Sequence, residues 1–258
     1  KIKKVISHEQ ALAQCSNKIQ EKNYEILIGA DTAGSAKNIS EKLFMPRSST
    51  NVLIKTMLKK GYLGYDQNDY TYFPTTKIAQ LSEWALEHFF NHQEELDAIC
   101  DKLSKESNET VSITVRSGDE AQFVKVIPGI QAVTLKIYEG SKTSLFYSAC
   151  GLALLSSLNT EQVCQLANRY NKRIGESDKP VDVTELLEKL LVISKRLVAI
   201  DYEGVIKDAG AVSIGIPEHV FGKFIAISVS GPAQRIKNKE IDIEKSLKAI
   251  ILPYILKA

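Results

Sequence analysis

The sequence predicts an α+β chain made of two unlike parts joined by a long helix. Three observations support this prediction. Before residue 76, a short helix, a tight turn, a second helix and an aromatic hairpin follow one another. From residue 76 to residue 103, apolar side chains recur at spacings of three and four, as on one face of a helix. Beyond that, runs of strands with helices between them favour an α+β domain over a doubly wound sheet. We therefore expect three segments, 1–76, 77–103 and 104–258.

The first segment has the order of a winged helix-turn-helix. Asn38–Phe44 is predicted to be its first helix, with Asn38 as the N-cap and Glu41 three residues later, as in a capping box. The second helix is predicted over residues 47–60 and is ended by Gly61. A polar turn then separates two short aromatic strands. The buried side of the second helix is predicted to comprise Val52, Leu53, Met57 and Leu58.

The third segment carries the patterns of a sheet with interposed helices. Helices are predicted at residues 148–158, 160–173, 182–197 and 241–256. Strands are predicted at residues 110–115, 122–127, 132–138, 211–216 and 223–230. Asp201 and Glu203 fall between these elements, where they could accept hydrogen bonds from a ligand or simply occupy a loop. A further helix is predicted near the amino end, over residues 8–28.

Charge is distributed unevenly along the 258 residues. Residues 1–64 hold 11 Lys and Arg against 5 Asp and Glu, a net charge of +6. The remainder holds 22 basic residues against 26 acidic ones, a net charge of −4. A small basic module on an acidic body favours contact with a polyanion such as DNA. A basic face that meets only solvent is the alternative.

Composition and cysteine usage exclude several classes of protein. Apolar residues make up 44% of the chain and charged residues 25%, which excludes a wholly disordered protein. The four cysteines have no C-x-x-C spacing, so we expect reduced thiols and a cytoplasmic location. The longest nearly apolar stretch, Ala249–Leu256, is far too short to span a bilayer, and residues 1–10 lack the apolar core of a secretory signal. We therefore expect no membrane partner, no cofactor and no metal site.

Three stretches resemble a known family, in the family's order. Residues 39–63, ISEKLFMPRSSTNVLIKTMLKKGYL, are similar to the DNA-binding module of IclR-type bacterial transcription regulators. Residues 145–156, LFYSACGLALLS, resemble the start of a helix in the same family. Residues 201–203, DYE, and residues 224–235, FIAISVSGPAQR, resemble the end of its effector-binding domain.

The resemblance implies a winged helix-turn-helix domain, a linker helix that pairs subunits and a GAF/PAS-like effector-binding domain. It implies a regulator without catalytic residues, which binds operator DNA as a homodimer or homotetramer and responds to a small organic acid. Candidates for contacts with bases and phosphates are Arg47, Ser48, Ser49, Asn51 and Lys55. Candidates for contacts with the effector are Ser148, Cys150, Asp201, Glu203, Ser228 and Ser230. The helix start near Ser148 and Cys150 is the expected seat of the effector's carboxylate.

Two alternatives remain open. An enzyme could use Cys150 or Ser213 as its nucleophile, although the sequence offers no base to pair with either. A regulator could instead have a carboxyl-terminal domain that no longer responds to a ligand and serves only in dimerisation. The sequence departs from the family's pattern at Leu152, Gly204 and Asp208, which keeps the second alternative open.

Overall fold

A computed structural model describes residues 34–42, 44–78, 80, 93–175, 179–202 and 204–257. These residues form two compact units, divided between residues 88 and 89. The predicted helix over residues 8–28 lies outside the described residues, and so do residues 81–92 of the predicted long helix. Within the described ranges, no helix combines the length and the apolar character that crossing a membrane requires.

The first unit is a helix-turn-helix followed by a two-stranded hairpin. Its elements are α1 (Ala36–Lys42), α2 (Arg47–Lys59), β1 (Leu63–Asp66) and β2 (Thr71–Pro74). Ser40 holds the turn between the helices, because its hydroxyl donates to the carbonyl of Met45 over 2.9 Å. Gly34 pairs with Tyr72 and so adds a minimal third strand to the hairpin. The predicted winged order is confirmed.

Two details of this unit differ from the sequence-based prediction. The first helix starts two residues early, because the hydroxyl of Ser35 caps it by accepting the N–H of Asn38 over 3.3 Å. Asn38 is therefore not the N-cap. Val52 is 67% exposed, so its predicted place on the buried side of α2 is wrong. The fully buried residues of α2 are Thr50, Ile54 and Met57, and the predicted Leu53 and Leu58 are partly buried against this core.

Thr50 is buried although it is polar, since its hydroxyl donates to the carbonyl of Pro46 over 3.1 Å. This bond satisfies the hydroxyl inside the small core of the unit. That core also contains Leu63, the first residue of β1. The hairpin is thereby packed against the inner side of α2, which leaves the outer side of the helix exposed.

The second unit is built on a six-stranded antiparallel sheet with the order β5-β4-β3-β8-β7-β6. Its strands are β3 (Thr110–Ser117), β4 (Glu120–Ile127), β5 (Lys142–Ser144), β6 (Ala199–Tyr202), β7 (Ala209–Ile216) and β8 (Ile225–Pro232). Its helices are α3 (Gln93–Ser107), α4 (Ala149–Leu155), α5 (Thr160–Arg173), α6 (Val183–Arg196), α7 (Glu218–Phe221) and α8 (Ala233–Lys257). The predicted α+β class is confirmed.

Three sequence-based expectations for this unit differ from the structure. The closing helix, predicted from residue 241, starts at Ala233. Residues 132–138 do not form a strand, although their apolar residues alternate. The alternation arises because Leu135 and Ile137 line a cavity, not because the segment pairs in the sheet. Asp201 lies in β6 and not in a loop; the neighbouring Glu203 is outside the described residues.

The two faces of the sheet differ in chemistry. In β3, β7 and β8, one set of alternate side chains is branched and apolar, and it packs against α3 and α8. The other set is small or hydroxyl-bearing and faces α4. Gly215 shows how closely α4 approaches, because a Cβ there would lie 2.5 Å from the carbonyl oxygen of Ala153. The small face leaves room for a cavity beside the start of α4.

Candidate functional site

The structure places all five candidate DNA-contacting residues of α2 on exposed positions. Arg47, Asn51 and Lys55 recur every four residues and so form one stripe along the helix. Ser48 flanks this stripe, and Ser49 lies in the first turn. A guanidinium, an amide and an ammonium group on one exposed helix face can donate hydrogen bonds to base edges and phosphates.

The hairpin beside α2 has a different charge. Its tip carries Asp66 and Asp69, and the carboxylate of Asp66 accepts the N–H of Asn68 over 2.8 Å. Tyr70, at the end of the tip, is 71% exposed. Two acids at a hairpin tip do not favour deep contact with phosphates. Among the described residues of this unit, most basic side chains lie on α1 and α2.

The carboxyl end of α2 is fixed by the segment that follows the hairpin. Lys77 donates to the carbonyl of Lys60 over 2.7 Å, and its ammonium lies 4.9 Å from the ring centre of Tyr62. Thr75 donates to the carbonyl of Gly61 over 2.6 Å. These bonds satisfy carbonyls that a helix end leaves without partners, and they tie the end of α2 to the segment after the hairpin.

A cavity that is partly open to solvent lies on the small face of the sheet. Five of the six candidate effector residues line it: Ser148, Cys150, Asp201, Ser228 and Ser230. Glu203, the sixth, lies outside the described residues. The other lining residues are Ser112, Phe123, Leu135, Ile137, Thr143, Ala149, Val205, Ile206, Ala209, Gly210 and Ala211.

Serine hydroxyls cross the floor of this cavity. Ser112 of β3 is in register with Ser228 of β8, which is in register with Ser213 of β7. Ser213 donates to the hydroxyl of Ser228 over 2.7 Å, and Ser230 donates to the carbonyl of Thr110 over 3.4 Å. The hydroxyl of Ser112 is buried and has no hydrogen-bond partner among the described residues.

The start of α4 forms one wall of the cavity. Ser148 is the N-cap: its hydroxyl accepts the N–H of Gly151 over 3.1 Å and donates to the carbonyl of Ser144 over 2.5 Å. The sulfur of Cys150 lies 3.2 Å from the same hydroxyl. Ser148 is thus already engaged in capping, and a helix of seven residues is a weak seat for a carboxylate.

Neither nucleophile of the enzyme alternative has the surroundings that catalysis requires. Burial raises the pKa of the Cys150 thiol, so the thiol stays neutral. Ser213 is fully buried and donates to another serine rather than to a general base.

Asp201 is the acidic residue of the cavity. Its carboxyl is half buried, and this burial raises its pKa. Gly204 makes room for it, since a Cβ at Gly204 would lie 2.3 Å from the Oδ1 atom of Asp201. A side chain at Gly204 would therefore require the carboxyl group of Asp201 to move.

An ion pair anchors the segment that covers the cavity. Arg235 donates to the carbonyl of Val133 over 2.8 Å, two residues before the lining residue Leu135. The same guanidinium holds Glu109 through two bonds of 2.6 Å, and Lys239 adds a third bond of 3.0 Å. The arginine of the SGPAQR stretch is thus a positioning residue.

Sequence reasoning missed this pair and Ser112. The available signal for Ser112 was the alternation of Thr110, Ser112 and Thr114 with apolar residues, which gives β3 a hydroxyl-bearing face. No local signal indicated the pair, because Glu109 and Arg235 are 126 residues apart.

Comparisons with known proteins agree with this architecture. The family described as "Bacterial transcriptional regulator IclR C-terminal" matches residues 90–252. The chain is 25% identical to the acetate operon repressor of Salmonella typhimurium over 245 residues, 87% of this chain and 85% of that protein. It is 23% identical to the transcriptional repressor AllR of Escherichia coli over 241 residues, 88% of this chain and 84% of that protein.

The solved structure of the Thermotoga maritima IclR protein has the same fold. Its TM-score is 0.72 at 19% identity, and the match covers 95% of this chain and 98% of that one. A second family, "Prephenate dehydratase", matches residues 1–50, too small a part of the chain to carry a conclusion. Because the first family match covers more than half of the chain, the protein belongs to the IclR family of bacterial transcriptional regulators.

Proposed function

We propose that this regulator binds operator DNA by placing α2 in the major groove. The stripe of Arg47, Asn51 and Lys55 on the exposed side of a helix-turn-helix is the observation that carries the proposal. In such folds the second helix reads base edges with its first turns while neighbouring residues hold the backbone. Ser48 and Ser49, at the same end of α2, contact phosphates of the DNA backbone.

We propose that the cavity beside α4 is the binding site of a small polar ligand that changes the affinity for DNA. Five of the six candidate residues line it, and a buried hydroxyl without a partner among the described residues lies on its floor. These features favour a ligand-responsive domain over a scaffold that serves only in dimerisation. We assign Asp201, Ser228 and Ser230 to contacts with this ligand.

We propose residues 1–76 as the DNA-binding domain, 77–103 as the linker that pairs subunits, and 104–258 as the effector-binding domain. A homodimer or homotetramer in the cytoplasm would present two copies of α2 to an operator with two half-sites.

Fluorescence anisotropy of labelled DNA from upstream of the protein's own gene, titrated over a series of salt concentrations, tests the DNA proposal. We expect binding that is tighter than to random DNA of equal length and that weakens steeply with salt. Equal binding to both DNAs at every salt concentration would contradict specific recognition of this site. Size-exclusion chromatography with light scattering tests the dimer or tetramer.

The ligand proposal is tested by replacing both Ser228 and Ser230 with Ala. We expect the variant to keep its affinity for DNA and to lose the response to any metabolite that shifts the wild-type titration. An unchanged dose–response curve would show that the ligand does not contact β8.

A further inference from the structure

The charge of the cavity distinguishes between classes of ligand. Sixteen described residues line it, and none of them is Lys, Arg or His. Among these residues the only carboxyl group is that of Asp201. A ligand carboxylate placed here would therefore meet a like charge and no opposite charge on the described lining.

Two cations close to these elements are engaged elsewhere, whereas Lys136 and Lys207, which adjoin lining residues in the sequence, are exposed. The positive charge of Lys189 favours the ionised form of Asp201, but its ammonium group lies 2.6 Å from a carboxylate oxygen of Glu185. Arg235 holds Glu109 and the carbonyl of Val133. Taking a carboxylate out of water without an ionic partner is costly, so an anion is disfavoured in this cavity.

The hydroxyls of the floor suit a different ligand. Ser112 is 1% exposed, and its hydroxyl can both donate to and accept from a bound molecule. Ser228 and Ser230 lie beside it on the neighbouring strand. The lining also includes the apolar side chains of Leu135 and Ile137. A complementary ligand has hydroxyl or amide groups for the serines and an apolar part for these side chains.

We infer that the cavity binds an uncharged small molecule bearing hydroxyl or amide groups, and not the organic-acid anion that the family resemblance implies. The inference rests on the proposed function, because it takes this cavity as the effector site. Ser112 is the specificity-determining residue: its unpartnered hydroxyl bonds the ligand. Asp201 accepts a hydrogen bond from a ligand hydroxyl or amide and repels carboxylates.

Saturation-transfer NMR on the full chain at neutral pH tests the inference with probes matched in carbon skeleton. One set is glycerate, glyceramide and glycerol; the other is 3-hydroxybenzoate, 3-hydroxybenzamide and 3-hydroxybenzyl alcohol. We expect the amide and alcohol of at least one set to bind about tenfold more tightly than the carboxylate, the effect of one unfavourable charge contact.

Variants identify the residues responsible. Ser112→Ala is expected to weaken binding of the uncharged probes about tenfold. Ser107→Ala is the matched control, since it removes a buried hydroxyl at the end of α3 that is outside the cavity lining. Asp201→Asn removes the like charge and is expected to improve binding of the carboxylate probes. Thermal melts confirm that each variant is folded.

Three results would overturn the inference, and they bear differently on the proposed function. Tighter binding of the carboxylate probes would reject the uncharged ligand and leave the cavity as an effector site. Binding unaffected by both Ser112→Ala and Asp201→Asn would place the ligand elsewhere in the protein. No saturable binding of any of the six probes would reject the inference together with the ligand part of the proposed function, while DNA binding is judged by its own titration.

Discussion

Arg235 clamps the carboxylate of Glu109 with two hydrogen bonds of 2.6 Å, although the two residues are 126 positions apart. The Glu109 side chain is 1% exposed, so the pair joins the start of β3 to the start of α8 inside the protein. Through its bond to the carbonyl of Val133, the same arginine holds the segment that covers the cavity. The ion pair thus links the stability of the sheet to the shape of the ligand site.

Replacing Glu109 with Gln should lower the free energy of unfolding by about 3 kcal/mol, because one partner of a buried ion pair is removed while Arg235 and Lys239 stay charged. Urea denaturation followed by circular dichroism measures the change. Glu120→Gln, which affects the more exposed pair with Lys142, is the control and should cost at most about 1 kcal/mol. Equal effects of the two substitutions would contradict a special role for the buried pair.

The pH dependence of stability should carry the signature of Glu109. Burial alone would raise the pKa of this carboxyl, but hydrogen bonds from Arg235 and Lys239 lower it below its ordinary value of 4.5. A carboxyl group whose pKa is lowered in the folded state stabilises the protein at pH values above the pKa that the group has in the unfolded chain. This contribution is lost as the pH falls through the pKa of the folded state. As the pH is lowered below about 5, we expect the urea concentration at the unfolding midpoint to decrease. The decrease should be less steep in Glu109→Gln. Identical pH profiles of the two proteins would show that Glu109 contributes nothing to acid sensitivity.

Replacing Arg47 with Ala should weaken operator binding by about 1–3 kcal/mol if the guanidinium contacts a base, and should leave the melting temperature unchanged because the side chain is exposed. Anisotropy titrations against specific and random DNA separate a base contact from a phosphate contact, since only the former changes the ratio of the two affinities. The control is Arg116→Ala, an exposed arginine of the second unit. Unchanged affinity for the operator would reject the docking of α2 proposed here.

Replacing either of two serines of the cavity floor should have different effects on stability. Ser112→Ala removes a buried hydroxyl that has no described partner, so without ligand the free energy of unfolding should stay constant or rise by up to about 1 kcal/mol. Ser228→Ala leaves the hydroxyl of Ser213 without its acceptor and should cost about 1–3 kcal/mol. Denaturation in urea compares the two variants. A large loss of stability in Ser112→Ala would mean that its hydroxyl is already satisfied in the protein.

Thiol reactivity separates the regulator from the enzyme alternative. Burial raises the pKa of Cys150 and raises that of Cys100 to about 12, whereas Cys164 is partly exposed. Iodoacetamide at pH 8 followed by peptide mapping should therefore modify Cys164 well before Cys100 or Cys150. Rapid and selective modification of Cys150 would instead indicate an activated thiolate.

Local patterns predicted most elements of the fold. The helix at residues 160–173 has the predicted bounds, and Asp182 caps the next helix by accepting two backbone N–H groups. Both follow from amphipathic spacing and from capping chemistry, which act within a few residues. The same logic failed at residues 132–138, where apolar alternation marks contact with a cavity and not pairing in a sheet.

The candidate site was only partly predictable. Ser228 and Ser230 were found because alternation on one strand places them on the same side. Ser112 was missed, since its importance depends on its register opposite Ser228, on a strand more than a hundred residues away. Strand register is decided by the packing of the whole sheet and leaves little trace in either strand alone.

The sequence by itself determined the order of helices and strands, the basic first module and the family to which the chain is similar, because these depend on local periodicity, charge and short motifs. The tertiary structure alone decided which hydroxyls share a cavity, which of them has no partner in the described part of the chain, and which carboxylate Arg235 binds. Those relationships depend on contacts between residues distant in the chain, which form only when the sheet and its helices pack together.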